Sequence, residues 1–127
     1  MRLAVARMTN KTGEVLLVRK AGTSAFMQPG GKLQEGEDPV AALLRELKEE
    51  LDMTVTPESL RYLGEAEALA ANEPGVQLSA SVFALMWDGE VEAHSEIAET
   101  MWVDPCHTKG VELAPLTRDS ILPWAVQ

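Results

Sequence analysis

The sequence has little cysteine and no long apolar run. Cys106 is the one cysteine among 127 residues, so no internal disulfide can form, and a reducing, cytoplasmic compartment is expected. No apolar run approaches the roughly 20 residues that span a membrane. The opening MRLAVARM also lacks the long apolar region of a signal peptide. The sequence therefore predicts a protein with no membrane partner.

Basic residues are also scarce. The chain carries 11 Lys and Arg against 20 Asp and Glu, which gives a formal net charge of −9. Because nucleic-acid polymers are held through clustered Lys and Arg, such a polymer is not an expected partner. A hydrophobic content of 46% with 24% charged residues is ordinary for a globular protein, and the length predicts a single domain over residues 1–127.

One stretch combines a clear helix signal with an unusual number of acids. Asp38 is a good N-cap and Pro39 suits the first helical position, so a helix is predicted to begin at residue 39. Apolar residues recur at three- and four-residue spacing, and we expect this stripe to face away from Glu46 and Glu50. The stripe consists of Val40, Leu43, Leu44, Leu47 and Leu51.

Three carboxylates of this helix are close enough to repel one another. Glu46 lies three and four residues before Glu49 and Glu50, and each such pair costs a few tenths of a kcal/mol in a bare helix. A divalent cation would turn that cost into a gain, because carboxylate oxygens are suitable ligands for Mg²⁺ or Mn²⁺. The glycines of Pro29-Gly30-Gly31 predict a sharp turn at which the backbone can approach a ligand closely.

Residues 31 to 53 resemble the Nudix box, G-x5-E-x7-R-E-U-x-E-E-x-G-U, in which U is an aliphatic residue. The matching positions are Gly31, Glu37, Arg45-Glu46, Leu47, Glu49-Glu50 and Met53. Asp52 departs from the pattern, since it replaces the last glycine. That glycine ends the helix in a left-handed conformation, which Asp adopts more readily than most residues. We therefore expect a slightly strained helix end and an intact site.

The resemblance implies both a fold and an activity. The fold is of the α/β class, a Nudix-like α/β/α sandwich with a central mixed sheet, the box helix on one side and a C-terminal helix on the other. The activity is hydrolysis of a phosphoanhydride bond in a nucleoside diphosphate linked to another group, with Mg²⁺ as cofactor or Mn²⁺ in its place. The metal would be held by the carboxylates of Glu46, Glu49 and Glu50, with the Gly31 carbonyl as a further ligand. Dimerisation is common in similar proteins, so a homodimer stays open.

The resemblance also suggests catalytic roles. Glu49 is the first candidate for the general base, followed by Glu46 and Glu96. Arg45 would orient Glu46 or Glu49 through charge-assisted hydrogen bonds, and Glu37 would tie the loop to the helix through Arg45. The alternative for Arg45 and Glu49 is an ordinary ion pair at i, i+4 spacing. One arginine cannot compensate the three helix glutamates and Glu37 together, which favours the catalytic interpretation.

Five residues are predicted to bind substrate: Arg19, Lys20, Lys32, Phe26 and Gln28. The cations would hold substrate phosphates, with solvated surface charge as the alternative. Arg19 is the first choice, because it ends a predicted strand that leads to the box. For Phe26, packing in the core is the alternative to stacking on a base.

The remaining pattern predicts the other elements. Strands are expected over residues 1–8, 14–19, 60–69, 77–87 and 100–103, with turns at 9–13, 57–60, 70–75 and 88–90. The first two strands would form a hairpin, and the loop at 70–76 would contribute to substrate choice. In similar proteins a glutamate before the last strand binds metal or acts as base, and Glu96 or Glu99 could match it. A solvated acidic loop is the alternative, and His94 is expected at the surface.

Residues 112–126 are predicted to end in a helix capped by Thr117 and shortened by Pro123. Two other functions stay open. A nucleotide sensor on the same fold would usually have lost box glutamates, which are all present here. A structural protein with an acidic helix would become more stable on Glu49→Gln in the absence of metal. The proline and tyrosine that mark ADP-ribose and dinucleoside-polyphosphate subgroups are missing from residues 66–69.

Overall fold

A computed structural model describes residues 1–71 and 73–126. In that part of the chain the elements are β1 (Arg2–Thr9), β2 (Val15–Lys20), β3 (Gly30–Lys32), α1 (Pro39–Leu51), β4 (Arg61–Leu69), β5 (Gln77–Met86), β6 (Ile97–Val103) and α2 (Leu122–Trp124). A 3-10 turn at Pro57–Ser59 precedes β4, and a π-helical turn at Thr117–Ile121 leads into α2. Residue 72, within the predicted loop at 70–76, lies outside the described residues.

The strands form one mixed sheet in the order β4-β5-β1-β2-β6. β1 runs parallel to β5, whereas β1 with β2, β2 with β6, and β4 with β5 are antiparallel. The turn between β1 and β2 is organised by Asn10, whose side-chain oxygen accepts from the backbone N–H groups of Thr12 at 3.1 Å and Glu14 at 3.0 Å. The predicted hairpin and mixed sheet are therefore confirmed.

β1 and β2 separate along the sheet, and residues 27–32 cross the gap between them. Near its end β1 pairs with β2, and near its start it pairs with β3, which places Val5 opposite Gly30. On the β2 side, the Met27 N–H donates to the Val18 carbonyl at 2.8 Å. The sharp turn predicted at Pro29-Gly30-Gly31 is wrong: both glycines lie in β3, opposite Val5 and Ala4 of β1, and so are carried to the middle of the sheet.

The two faces of the sheet are covered by different helices. Along β1, alternate residues point to opposite faces: Ala4, Ala6 and Met8 pack against α1, whereas Leu3 and Val5 pack against the C-terminal helical segment. Leu43 and Leu47 of α1 are fully buried, and each such side chain contributes about 1.5–3 kcal/mol through removal from water. The predicted arrangement, one helix on each side of the sheet, is confirmed.

Helix α1 begins and ends as predicted. The Asp38 side chain accepts from the Ala41 N–H at 2.8 Å, and Asp52 adopts the left-handed conformation with φ 53°. One expectation was wrong, however. Glu50 does not face away from the apolar stripe, because seven residues make almost two full turns and place it above the buried Leu43. Its side chain is only 4% exposed.

Two predictions near the C-terminus also need correction. β6 begins at Ile97 rather than at residue 100, because Ile97 is buried and pairs with Lys20. Thr117 is not a cap: it lies within the π-helical turn, is fully buried, and donates its hydroxyl to the side chain of Gln28. Pro123 lies in α2 directly after the π-helical turn, so its missing N–H removes one donor from a continuous helical segment.

Candidate active site

A cleft of about 340 Å³ opens beside the crossing segment. Its charged lining consists of Lys20, Lys32, Glu46, Glu73 and Glu96. Its apolar lining includes Leu3, Val5, Met27 and Leu78. Gln28, Gly30 and Gly31 complete the wall between them. The cleft thus has positive, negative and apolar groups around a single space.

The structure brings several of the predicted site residues to this cleft. Those that line it are Lys20, Gln28, Gly31, Lys32, Glu46 and Glu96. Glu50 lies behind the wall, where its carboxylate accepts from the Gly30 N–H at 3.2 Å. Glu49 is not part of the lining, and its side chain is 53% exposed. Arg19 and Phe26 lie elsewhere.

Arg19, the first choice for phosphate binding, does not line the cleft. Its Nε donates to Glu99 Oε1 at 2.8 Å and its Nη1 to the Thr23 carbonyl at 2.8 Å. Alternation along β2 sends Arg19 to the face away from α1, with Val15 and Leu17, and a bulge follows before Lys20. Of the two neighbouring cations, Lys20 is the one that lines the cleft.

Phe26 belongs to the core rather than to the cleft. It packs, partly buried, against an apolar cluster on the face opposite α1 that includes Val15, Leu17 and Leu122. Its backbone N–H donates to the Glu112 carbonyl at 2.8 Å, which fixes it there. The structure therefore favours the core alternative over base stacking.

Of the two acids considered near the last strand, Glu96 is the one at the cleft. Glu96 precedes β6 and lines the cleft, and its carbonyl accepts from the Ala21 N–H at 2.7 Å. Glu99 lies within β6 and is paired with Arg19. His94 is at the surface, as expected, with 42% of its side chain exposed.

Arg45 links the loop before α1 to the helix carboxylates. Its Nε and Nη2 bind the two oxygens of Glu37 at 2.8 and 2.9 Å, and Nη2 also donates to the Lys32 carbonyl at 3.0 Å. Its Nη1 binds Glu46 at 2.9 Å, with a longer contact of 3.5 Å to Glu49. The hydrogen bonds from Arg45 lower the pKa of Glu37 to about 2. Arg45 therefore orients Glu46 and ties Glu37 to the helix, as the sequence predicted.

Glu50 is an acid held in a place that resists its ionisation. Burial raises its pKa to about 7, and the nearby charges of Glu46 and Glu96 act in the same direction. The hydrogen bond from Gly30 and the positive charge of Lys20 oppose this rise. The carboxylates of Glu46, Glu50 and Glu96 are thus close enough to influence one another, although they come from α1 and from the loop before β6.

Some features of the site escaped sequence reasoning. Strict alternation along β2 would have favoured Lys20 over Arg19. The contact between Gln28 and Thr117 joins residues 89 positions apart, and no local pattern marks it. The apolar wall of Leu3, Val5 and Leu78 has the pattern of ordinary core strands.

Comparisons with known proteins agree with this geometry. A sequence model of the NUDIX domain matches residues 2–124. The chain belongs to the NUDIX family. Among curated NUDIX relatives, the 8-oxo-dGTP diphosphatase of Escherichia coli (strain K12) is 34% identical over 58 residues, which cover 42% of this chain and 45% of that protein. The match therefore spans less than half the length of that relative.

Solved structures show the NUDIX fold over nearly the whole chain. The E. coli dihydroneopterin triphosphate pyrophosphohydrolase superposes with a TM-score of 0.80 at 20% identity, covering 98% of this chain and 94% of that one. The MutT protein from Methanosarcina mazei Go1 superposes with a TM-score of 0.79 at 22% identity, covering 99% and 92%. The predicted family and α/β sandwich are confirmed. No helix within residues 1–71 and 73–126 is long and apolar enough to cross a membrane.

Proposed function

We propose that this NUDIX protein is a metal-dependent hydrolase that cleaves a phosphoanhydride bond in a nucleoside diphosphate linked to another group. The observation that carries the proposal is one cleft lined by Lys20, Lys32, Glu46 and Glu96, with the buried Glu50 behind its wall. Lys32 also lies 3.9 Å from Glu73, another acid of the lining. Cations suit the phosphates, and acids suit a metal and a proton acceptor. Two of the similar proteins named above are a diphosphatase and a pyrophosphohydrolase, which supports the same type of bond.

Mg²⁺, or Mn²⁺ in its place, fits the donor set of this site. Glu46, Glu49, Glu50 and the Gly31 carbonyl would hold it, because all offer hard oxygen ligands. Among residues 1–71 and 73–126, no three acidic, His or Cys side chains form a preassembled metal centre. The ion would therefore take its remaining ligands from substrate phosphates and water. When bound, it supplies positive charge to the phosphate oxygens and lowers the pKa of a coordinated water.

The residues of the cleft divide the remaining tasks. Lys20 and Lys32 would bind the phosphates, and Arg45 would keep Glu46 in position through its hydrogen bond at 2.9 Å. As water adds to phosphorus and the leaving phosphate departs, one carboxylate must accept the proton of the water. Glu96 now precedes Glu49 as our candidate, because Glu96 lines the cleft and Glu49 does not.

A substrate panel tests this function. Purified protein with Mg²⁺ or Mn²⁺ is incubated with nucleoside triphosphates, dinucleoside polyphosphates, nucleotide sugars and ADP-ribose. We expect turnover of at least one compound, its loss in EDTA, and a decrease of about 100-fold or more in Glu50→Gln. Tight nucleotide binding by calorimetry with no product from any compound would instead support a nucleotide sensor. A cytoplasmic location and a homodimer stay predictions, for cell fractionation and analytical ultracentrifugation to test.

A further inference from the structure

Gln28 is a polar side chain held within the wall of the cleft. It is 7% exposed, belongs to the crossing segment of residues 27–32, and lines the cleft. Its backbone is fixed on both sides: the Met27 N–H donates to the Val18 carbonyl at 2.8 Å, and the Pro29 carbonyl accepts from the Ala6 N–H at 3.0 Å. The Gln28 side chain therefore starts from a well-defined position.

Thr117 fixes the orientation of the Gln28 amide. The Thr117 hydroxyl is fully buried and lies 2.6 Å from Gln28 Oε1. That separation is typical of an O–H···O bond and shorter than a usual N–H···O bond, so the hydroxyl donates to the carbonyl oxygen. The hydrogen bonds within residues 1–71 and 73–126 include none from the amide nitrogen of Gln28. Its two N–H donors are thus the polar groups that Gln28 can offer to a ligand.

The amide lies on the side of the cleft that Leu3 and Val5 line. The helical segment that carries Thr117 packs on the same sheet face as Leu3 and Val5, whereas α1, with Glu46, covers the opposite face. Phosphates would lie beside Lys20 and Glu46 on the α1 side, and the group attached to them would reach Leu3, Val5 and Leu78. A nucleobase suits that wall, because its faces are apolar and its edge carries hydrogen-bonding atoms.

We propose that Gln28, locked by Thr117, is a specificity-determining residue that donates a hydrogen bond to a carbonyl oxygen of the substrate base. The protein then prefers nucleotides with an oxo group at that edge, such as hypoxanthine or guanine, over the amino group of adenine. An amino group would face the amide with donor against donor, which leaves buried donors without acceptors. The inference rests on the proposed function for its class of ligand, a nucleoside diphosphate derivative.

Calorimetry with non-hydrolysable ligands tests the preference. The α,β-methylene diphosphates of inosine and adenosine differ along one edge of the base: at position 6 inosine offers an acceptor and adenosine a donor, and at N1 the two roles are exchanged. In the presence of Mg²⁺ we expect the wild type to bind the inosine compound about tenfold more tightly. Gln28→Leu should bring the affinity ratio close to one. Gln28→Glu keeps an oxygen for Thr117 but replaces the donors with an acceptor, so it should reverse the preference.

Two variants of Thr117 separate this role from a merely structural one. Thr117→Val frees the amide to rotate and should lower the affinity ratio several-fold, whereas Thr117→Ser keeps the hydroxyl and should restore it. Thermal unfolding shows whether each variant folds. If Thr117→Val does not fold, the affinity ratio of Gln28→Leu tests the proposal. An unchanged ratio in Gln28→Leu, an equal loss of affinity for both ligands, or no binding to the wild type would overturn the proposal.

These measurements also distinguish this inference from the proposed hydrolysis. Binding needs no turnover, so a protein that discriminates between the two ligands but hydrolyses nothing would support the role of Gln28 and contradict the enzyme. A protein that hydrolyses members of the panel but binds the two ligands equally well would support the enzyme and contradict the role of Gln28.

Discussion

The carboxylate of Glu46 occupies the space that a side chain at Gly31 would need. A Cβ atom at Gly31 would lie 2.6 Å from both Cδ and Oε1 of Glu46. The neighbouring Gly30 has φ +132°, and a Cβ there would lie 2.7 Å from the Cα atom of Val5. One glycine is therefore required by the site, and the other by the backbone of the sheet.

Alanine at these two positions should have different effects. In Gly31→Ala the clash is with the end of a flexible side chain, so Glu46 moves: we expect activity to fall tenfold or more while the free energy of unfolding changes by less than about 1 kcal/mol. In Gly30→Ala the clash is with backbone atoms, at a φ that alanine rarely adopts. We therefore expect the free energy of unfolding to fall by about 3 kcal/mol or more. Urea unfolding and turnover measure both. Equal destabilisation in the two variants would contradict this assignment.

Lys20 and Arg19 should separate substrate binding from stability. Lys20 lines the cleft, whereas Arg19 is bound to Glu99 and to the Thr23 carbonyl. We expect Lys20→Ala to raise KM about tenfold or more, because a phosphate contact is lost. Arg19→Ala should leave KM unchanged and destabilise the protein by about 1 kcal/mol. If KM rises in Arg19→Ala and not in Lys20→Ala, Arg19 is the residue that binds the substrate phosphates.

The sequence predicted the parts of this protein that depend on local signals. Asp38, Pro39 and Asp52 mark the ends of α1 through side-chain and backbone preferences that act within a few residues. The expected position of Glu50 is wrong because apolar residues alone define the stripe, whereas Glu50 lies almost two full turns from Leu43, on the same side of the helix, and is buried with it. Burial of a carboxylate is a tertiary outcome that periodicity does not reveal.

The positions of Arg19 and Thr117 depend on partners that are distant in sequence. Arg19 lies near the end of β2, close to the box in sequence, but its guanidinium is held by Glu99, 80 residues away. Thr117 resembles a helix cap, yet its partner Gln28 lies 89 residues away in sequence. Long-range contacts of this kind follow from the packing of the C-terminal segment on the sheet.

Arg45→Lys should lower activity, although the substitution keeps the positive charge. A lysine cannot reproduce the planar contacts that Arg45 makes with Glu37, Glu46 and the Lys32 carbonyl. We expect kcat/KM to fall about 10- to 100-fold. As a control, Lys48→Ala removes an exposed ion pair with Asp52 on the same helix and should cost less than about 0.5 kcal/mol, with activity unchanged.

The same substitution should alter stability in acid. Hydrogen bonds from Arg45 and, to a smaller extent, from the Gln34 N–H lower the folded pKa of Glu37 from 4.5 to about 2, so these contacts stabilise the protein above pH 4.5 and their contribution is lost as pH falls toward 2. Arg45→Lys should weaken that dependence, and urea unfolding between pH 5 and 2 measures it. Identical acid profiles for wild type and variant would contradict the role of the pair.

Asp52→Gly should stabilise the protein slightly. Asp52 has φ 53°, a left-handed conformation that glycine adopts without the steric cost of a Cβ. The variant loses the exposed pair with Lys48, so we expect a net gain of about 0.5 kcal/mol. Asp52→Ala keeps the strain and loses the pair, and should cost about 1 kcal/mol. Turnover should not change in either variant; a destabilised Asp52→Gly would show that the helix end is not strained.

Glu50 should make the metal-free protein less stable as pH rises. Its folded pKa is raised from 4.5 to about 7, so between these values the folded state keeps a proton that the unfolded state has lost, and stability falls with increasing pH. At about 1.4 kcal/mol per pKa unit the loss is on the order of 3 kcal/mol by pH 8. Glu50→Gln should remove it and exceed the wild type in stability at pH 8, while resembling it near pH 4.

Metal should reverse this dependence, because it binds the ionised carboxylate. Mg²⁺ should raise the unfolding temperature of the wild type more at pH 8 than at pH 5, and should do little for Glu50→Gln. Thermal unfolding of both proteins at these two pH values, with Mg²⁺ and with EDTA, measures the effect. Equal stabilisation of wild type and Glu50→Gln by Mg²⁺ would place the ion away from Glu50, and a flat pH profile without metal would show that Glu50 ionises freely in the folded protein.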